Sequence, residues 1–240
     1  MMRSTKKNLN KIYKRFRRGT LYLNRVINQF EWGQFSELKP ISNDFGAGRG
    51  TPIDRYYILN FLIKNNQKIR GRILEVGSSD YANQFSKADD LVEILSPNSN
   101  NKRAALVADL AKLDELPESK YDCFICTQTL NFIFEYNAAI SGIYKLLKPG
   151  GVGLITVAGL THVSRFDMDR WGDYWRFNSL SLEKCLTNVF NKEKIQVTAY
   201  GNAKTAIGQI YGLCAEDYQP GELDFVDPDY QLLIVAIVEK

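Results

Sequence analysis

Two groups of residues in this chain have types and spacings that suit chemistry. The first is centred on Gly77, where the apolar run Ile73-Leu74-Glu75-Val76 ends and Ser78 and Ser79 follow. This is the pattern of a buried strand entering a tight turn and then a helix. Glycine at such a turn lets a ligand lie against the backbone, and the N–H groups that follow can bond it. Glu93 stands sixteen residues beyond Gly77, where a carboxylate can accept hydrogen bonds from a ribose diol. A second carboxylate, Asp109, is placed to address an adenine amino group. The turn lacks the later glycines of GxGxxG, which argues against a dinucleotide and for a smaller nucleoside ligand.

The second group follows Ala158. It holds the only histidine of the chain, His162, together with Asp167, Asp169 and Asp173, Arg165, Arg170 and Arg176, and Trp171, Tyr174 and Trp175. Carboxylates and guanidinium groups bind hydroxyls or anions, and aromatic faces cover a ring, so this mixture suits a polar substrate. Arg55 and Tyr57, in an aromatic and charged segment before the glycine turn, read as a further wall of the same pocket.

Elements that position these groups are legible in the periodicity. Thr51 can cap a helix that starts at Pro52 and runs to about Lys64, with Ile53, Tyr57 and Phe61 on one face. Apolar runs at Leu91–Leu95, Ala104–Val107, Tyr121–Cys126 and Val152–Val157 read as strands two to five. A helix over Asn137–Leu147 is stopped by Lys148-Pro149-Gly150-Gly151. Ser179 or Ser181 can cap a helix over Leu182–Phe190, and Ile195–Tyr200 is strand six. Ala203–Leu213 is helical with Ala206, Ile207, Ile210 and Leu213 as its apolar face, and Leu232–Val238 is the last strand. Strands alternating with helices imply a parallel sheet covered on both faces, with ligands beyond the carboxyl ends of its strands. Glu75, Gly77, Glu93, Asp109 and Thr127 are expected there.

Composition narrows the class. The 240 residues are 45% hydrophobic and 24% charged, ordinary for a globular chain. Residues 1–30 hold nine Lys or Arg and no acid, more than the whole net charge of +4, so the remainder is net acidic. The expected organisation is a basic leader with an amphipathic helix (1–37), a loop and helix covering the cleft (38–70), and the main domain (71–240). No apolar run is long enough to span a membrane. A cytoplasmic location is expected, with contact to the inner membrane face or a protein partner through the leader. The acidic body disfavours nucleic acid. Cys123 and Cys126 form a CxxC whose odd spacing, on a strand, sends the thiols to opposite faces; no metal is expected.

From Gly71 onward the chain resembles a class I S-adenosylmethionine-dependent methyltransferase. The resemblance rests on the Ile73–Gly77 turn, Asp109, the Tyr121–Leu130 strand and loop, and LLKPGG at Leu146–Gly151. It implies a Rossmann-like α/β fold whose seven-stranded sheet is mostly parallel with an antiparallel last strand. It further implies that Glu75 orients the turn, Gly77 lies against the methionine part of S-adenosylmethionine, Glu93 holds the ribose and Asp109 the adenine, with Ser78, Ser79 and Thr127 nearby. Methyl transfer to an acceptor oxygen would need a base, for which His162 is the first candidate, because its reference pKa is near neutrality; Asp54 and Asp167 are rivals. Arg55, Tyr57, Arg170, Trp171, Tyr174, Trp175 and Arg176 are the expected substrate-binding residues. The segments Arg49–Tyr57 and Asp167–Phe177 also resemble methyltransferase-like proteins of bacterial surface-glycan gene sets, which implies a saccharide, glycolipid or other small polar acceptor. Ser79 and Tyr81 stand where the family usually has glycine, and this opens the alternative of a catalytically inactive binding or scaffold protein.

Overall fold

A computed structural model describes residues 33–240; the helix expected over Lys11–Phe30 lies outside them. Contacts divide the chain at Pro40. In the short first unit the described residues form a single 3-10 turn, Gly33–Phe35. In the second, seven strands are laid down in chain order: β1 (Arg72–Val76), β2 (Leu91–Ser96), β3 (Leu106–Val107), β4 (Tyr121–Thr127), β5 (Leu147–Ala158), β6 (Ile195–Tyr200) and β7 (Leu233–Glu239). They form one sheet of order β3-β2-β1-β4-β5-β7-β6. Five of the pairings follow the expected design: β1 is parallel to β2 and β4, β2 to β3, β4 to β5, and β7 inserts antiparallel beside β5. The sixth pairs β6 with β7, again antiparallel.

Because side chains alternate along a strand, each central strand feeds two cores. Ile73, Cys123, Ile125, Leu154 and Val235 face one side, where helix α1 (Ile53–Lys64) supplies Ile53, Tyr57, Ile58, Phe61 and Leu62. Leu74, Phe124, Cys126, Ile155 and Ala236 face the other, against Ile140 and Ile143 of a later helix and Leu182 and Leu186 of another. Burying each such aliphatic or aromatic side chain contributes roughly 1.5–3 kcal/mol. Cys123 and Cys126 fall in opposite cores, and burial pushes both thiols up to about 12. The remaining helices are α2 (Asp80–Phe85), α3 (Tyr136–Leu146), α4 (Arg165–Met168), α5 (Ser179–Leu186) and α6 (Ala203–Tyr211).

Several local expectations are corrected by tertiary partners. Thr51 does not cap α1: its N–H and hydroxyl both donate to Glu216, at 2.9 and 2.7 Å. These bonds hold the Glu216 carboxyl at about 2. Together with the bidentate Arg49–Asp217 pair they fasten the loop before α1 to the chain after α6. The cap of α5 is Asn178, which forms a reciprocal box with Ser181. The cap of α6 is Asn202, boxed with Thr205. Its amide also donates to the carbonyls of Glu222 and Phe225. The inner face of α6 is Thr205, Ala206, Gly208 and Gln209, while Ile207 and Ile210 are half exposed. Lys148–Gly151 is absorbed into β5, because Leu147 pairs with Tyr121 and Gly150 and Gly151 bond Lys240. Pro149 is exposed there, so its missing donor costs nothing.

Candidate functional site

The carboxyl ends of β1, β4 and β5 open into a cavity of about 650 Å³, within the usual range for a small-molecule site. Its floor is set by Glu75, which is 1% exposed. One carboxylate oxygen accepts from Ala82 N at 2.7 Å, and the other accepts from Ser78 Oγ at 3.1 Å and Tyr81 N at 3.4 Å. A buried acid thus ties the strand to the turn and to the start of α2. Burial nevertheless dominates, leaving its pKa above the ordinary carboxylate range.

Gly77 has φ +78°, and a Cβ built on it would meet no atom within 4 Å. The positive φ calls for glycine, and the open space lies on the side of the cavity that Gly77 lines. Asn101 donates to the Gly77 carbonyl at 2.9 Å and steadies the far side of the turn. At the end of β4, Gln128 has φ +48°, a conformation non-glycine residues seldom hold unless their surroundings fix it. Here its N–H donates to both the carbonyl and the hydroxyl of Thr156, and its side-chain amide donates to Asp54 at 3.4 Å.

The other wall comes from the segment after β5 and the loop before α1. Arg176 forms a bidentate pair with Asp173 at 2.6 and 2.8 Å and donates to the His162 carbonyl at 2.7 Å. The Asp173 side chain is 1% exposed. Burial alone would raise its pKa, but Arg176 and the Ser164 N–H outweigh this and hold it below the usual range. The ring of His162 stacks on Phe45 with centroids 4.2 Å apart, and neither ring nitrogen has a hydrogen-bond partner among the described residues. Burial, with a further contribution from the Arg176 charge, lowers its pKa below 6.5, against opposing pulls from Asn43, Asp173 and Asp54. The imidazole is therefore neutral at pH 7.

The structure gathers Glu75, Gly77, Ser78, Thr127, Asp54, Arg55, His162, Asp167 and Arg176 around this one cavity. It does not gather the others. Glu93 sits mid-strand, opposite Leu74, and its carboxylate is paired with Arg72 at 2.5 Å and Lys120 at 3.6 Å. Asp109 lies past β3 and accepts from Ala111 N. Ser79 Oγ accepts from Asn83. Tyr57 is 2% exposed and its hydroxyl donates to the Leu223 carbonyl at 2.8 Å; burial pushes that phenol up to about 12. Arg170 stacks over Phe166. Trp171 and Tyr174 are half exposed outside the lining, and Trp175 packs on Phe134 and Tyr136. Each of these has a partner that primary structure does not display.

Sequence reasoning missed Phe45, Gln128, Asn131, Thr161 and Gln209, all of which line the cavity. Gln128 was findable, since it directly follows Thr127 at a strand end; Gln209 was not, because only packing turns that face of α6 inward. Among the described residues no group of three or more His, Cys, Asp or Glu is placed to hold a metal ion, and no helix is long and apolar enough to cross a membrane.

Comparison with known proteins bears on the fold. Residues 76–155 match a family model described as a methyltransferase domain. No curated protein matches this chain. A methyltransferase from Archaeoglobus fulgidus described as SAM-dependent superposes with a TM-score of 0.51 at 11% identity, covering 78% of this chain and 94% of that one. The [4+2]-cyclase SpnF superposes with a TM-score of 0.50 at 17% identity, covering 80% and 83%. With the strand order and the antiparallel β7, these matches establish a class I S-adenosylmethionine-dependent methyltransferase-like fold.

Proposed function

We infer from the class I methyltransferase fold that the cavity binds S-adenosylmethionine and that the protein transfers its methyl group to a small polar acceptor. One observation carries this reading. The glycine turn held by buried Glu75 presents the open face of Gly77 to the same cavity that holds the unpartnered ring nitrogens of His162. When bound, S-adenosylmethionine supplies an electrophilic methyl group on its sulfonium.

The chain's own residues do the rest. Glu75 fixes the turn, while Gly77, Ser78 and Thr127 line the side suited to the cofactor. Asp54, Asp167 and Arg176 orient the acceptor, which removes much of the entropic barrier to reaction. His162, neutral and shielded by Phe45, takes the proton from an acceptor hydroxyl. An O-methylated saccharide, glycolipid or similar acceptor fits this division of labour. We assign the protein to the cytoplasm, with its basic leader facing the membrane surface or a partner.

Calorimetry with S-adenosylhomocysteine tests the cofactor, and transfer of labelled methyl from S-adenosylmethionine to candidate acceptors tests the reaction. Absence of binding at millimolar S-adenosylhomocysteine would remove the proposal.

A second reading is favoured by a specific feature. Glu93 is committed to Arg72 and Lys120, and no residue of β2 lines the cavity, so the side chain expected to hold the ribose is missing from the site. A methyltransferase fold kept for binding, or for chemistry other than methyl transfer, accommodates this, and the comparable fold of the cyclase SpnF supports it. Tight S-adenosylhomocysteine binding without methyl transfer to any acceptor would favour this second reading.

A further inference from the structure

The charges that line the cavity are unbalanced. Six carboxylates face two guanidinium groups there, with His162 neutral. Glu75 is consumed by its three donors and Asp173 by Arg176. That leaves Asp44, Asp54, Asp80 and Asp167 against Arg55 alone. Asp80 belongs to the glycine turn and is left to the cofactor. Asp54 opens α1 and Asp167 lies on α4, so this pair belongs to the acceptor wall. No described residue donates a hydrogen bond to the Asp167 carboxylate.

A second set of groups points the same way. Asn131 and Gln209 are 2% and 1% exposed and line the cavity, and the side-chain oxygen of each is buried without a partner. Gln128 Oε1 is a third, its orientation fixed by the bond from its own amide to Asp54. Buried acceptors without donors are costly, roughly 1–3 kcal/mol each, so a ligand that brings donors relieves them. Arg176 Nε is an unpartnered donor facing the same space, but its charge is already matched by Asp173. A neutral sugar brings as many acceptors as donors and no charge. An ammonium group brings three donors, no acceptor and the missing positive charge.

We propose that the acceptor carries a protonated amine, as an amino sugar or amino alcohol does, and that Asp54 and Asp167 with the orphan amide oxygens seat this ammonium group. The inference rests on the methyltransferase reading only for the name "acceptor"; the cation site itself is independent of it.

Glucosamine, glucose and N-acetylglucosamine differ at one substituent, and their binding at pH 6.5 to protein saturated with S-adenosylhomocysteine is a direct test by ligand-observed NMR or calorimetry. Glucosamine is expected to bind at least about tenfold tighter than the two neutral sugars, which at 298 K is about 1.4 kcal/mol. The double variant Asp54→Asn/Asp167→Asn should lose that preference while keeping its affinity for S-adenosylhomocysteine. If the double variant does not fold, the wild-type preference must instead shrink in about 0.5 M NaCl, as an ionic contact requires. Equal or weaker binding of glucosamine, or a preference that survives the double variant or added salt, overturns the proposal. If S-adenosylhomocysteine itself fails to bind, the methyltransferase reading falls, and the same titrations on the free protein still decide the ammonium site.

Discussion

Removing the Glu75 carboxylate is the sharpest perturbation this fold offers. Glu75→Ala leaves the buried Ala82 N–H without its 2.7 Å acceptor, a loss of roughly 1–3 kcal/mol. The longer bonds from Ser78 and Tyr81 come from groups nearer solvent and add about 0.5–1 kcal/mol each. Part of this is returned, because burial disfavours the charge that is removed. The net expectation is a loss of about 2 kcal/mol, which for a domain of this size lowers Tm by roughly 4–8 °C. Glu75→Gln keeps one acceptor oxygen and should cost about 1 kcal/mol. The sign of the pH dependence follows from the raised pKa. Below the unfolded value of about 4.5 the acid is neutral in both states and the penalty is absent; as pH rises through the folded value the full penalty appears. The stability gap between wild type and Glu75→Gln should therefore widen as pH falls from 7 toward 4.5. Urea unfolding of the three proteins across that range measures both quantities. A Glu75→Ala variant within about 0.5 kcal/mol of wild type, or a gap that narrows on acidification, would refute the account of the turn.

Other outcomes follow from the same geometry. His162→Gln should lower methyl transfer by about 100-fold or more with an unchanged Kd for S-adenosylhomocysteine; undiminished turnover between pH 6 and 8 rejects the base role. Since the His162 pKa lies below 6.5 in the folded chain, wild-type turnover should persist below pH 6.5. The stability this group contributes is present above 6.5 and lost as pH falls through the folded value. Glu93→Gln should leave S-adenosylhomocysteine affinity within about twofold yet cost about 1–2 kcal/mol. Burial opposes the charge on Glu93, but Arg72, Tyr121 and Lys120 bring its pKa below 4.5, so that contribution is lost as pH falls through the folded value; a large loss of affinity would return the ribose role to Glu93. Gly142→Ala places a Cβ 2.1 Å from the Leu110 carbonyl oxygen and should destabilise by about 1–3 kcal/mol in urea unfolding; a neutral result would contradict the packing of α3.

The strand-rich alternation, the glycine turn and the apolar faces determine the sheet, because burying both of its faces requires a nearly continuous apolar strand at β4 and β7 whatever the partners. Residues beside the turn were legible for the same reason: Glu75, Gly77 and Ser78 are within a few positions of one another, so local geometry brings them together. Thr127 follows from the end of an unmistakable strand.

Glu93 shows where that reasoning stops. Its distance from Gly77 suits a ribose ligand, but register is decided by pairing: opposite Leu74 it falls three residues short of the end of β2, within reach of Arg72 and Lys120. Tyr57 and Trp175 look like recognition residues by type, yet their polar tips bond the Leu223 and Phe134 carbonyls. Thr51 has a capping side chain, but Glu216, a distant residue in sequence, is the stronger acceptor for it. The cavity's acidity is likewise a tertiary property. Asp54, Asp167, Asn131 and Gln209 come from four separate elements, and only the closing of the sheet and its covering helices sets their unmatched oxygens around one space. The glycine turn follows from sequence, whereas the unmatched charge beside it follows from which side chains the folded chain leaves without partners.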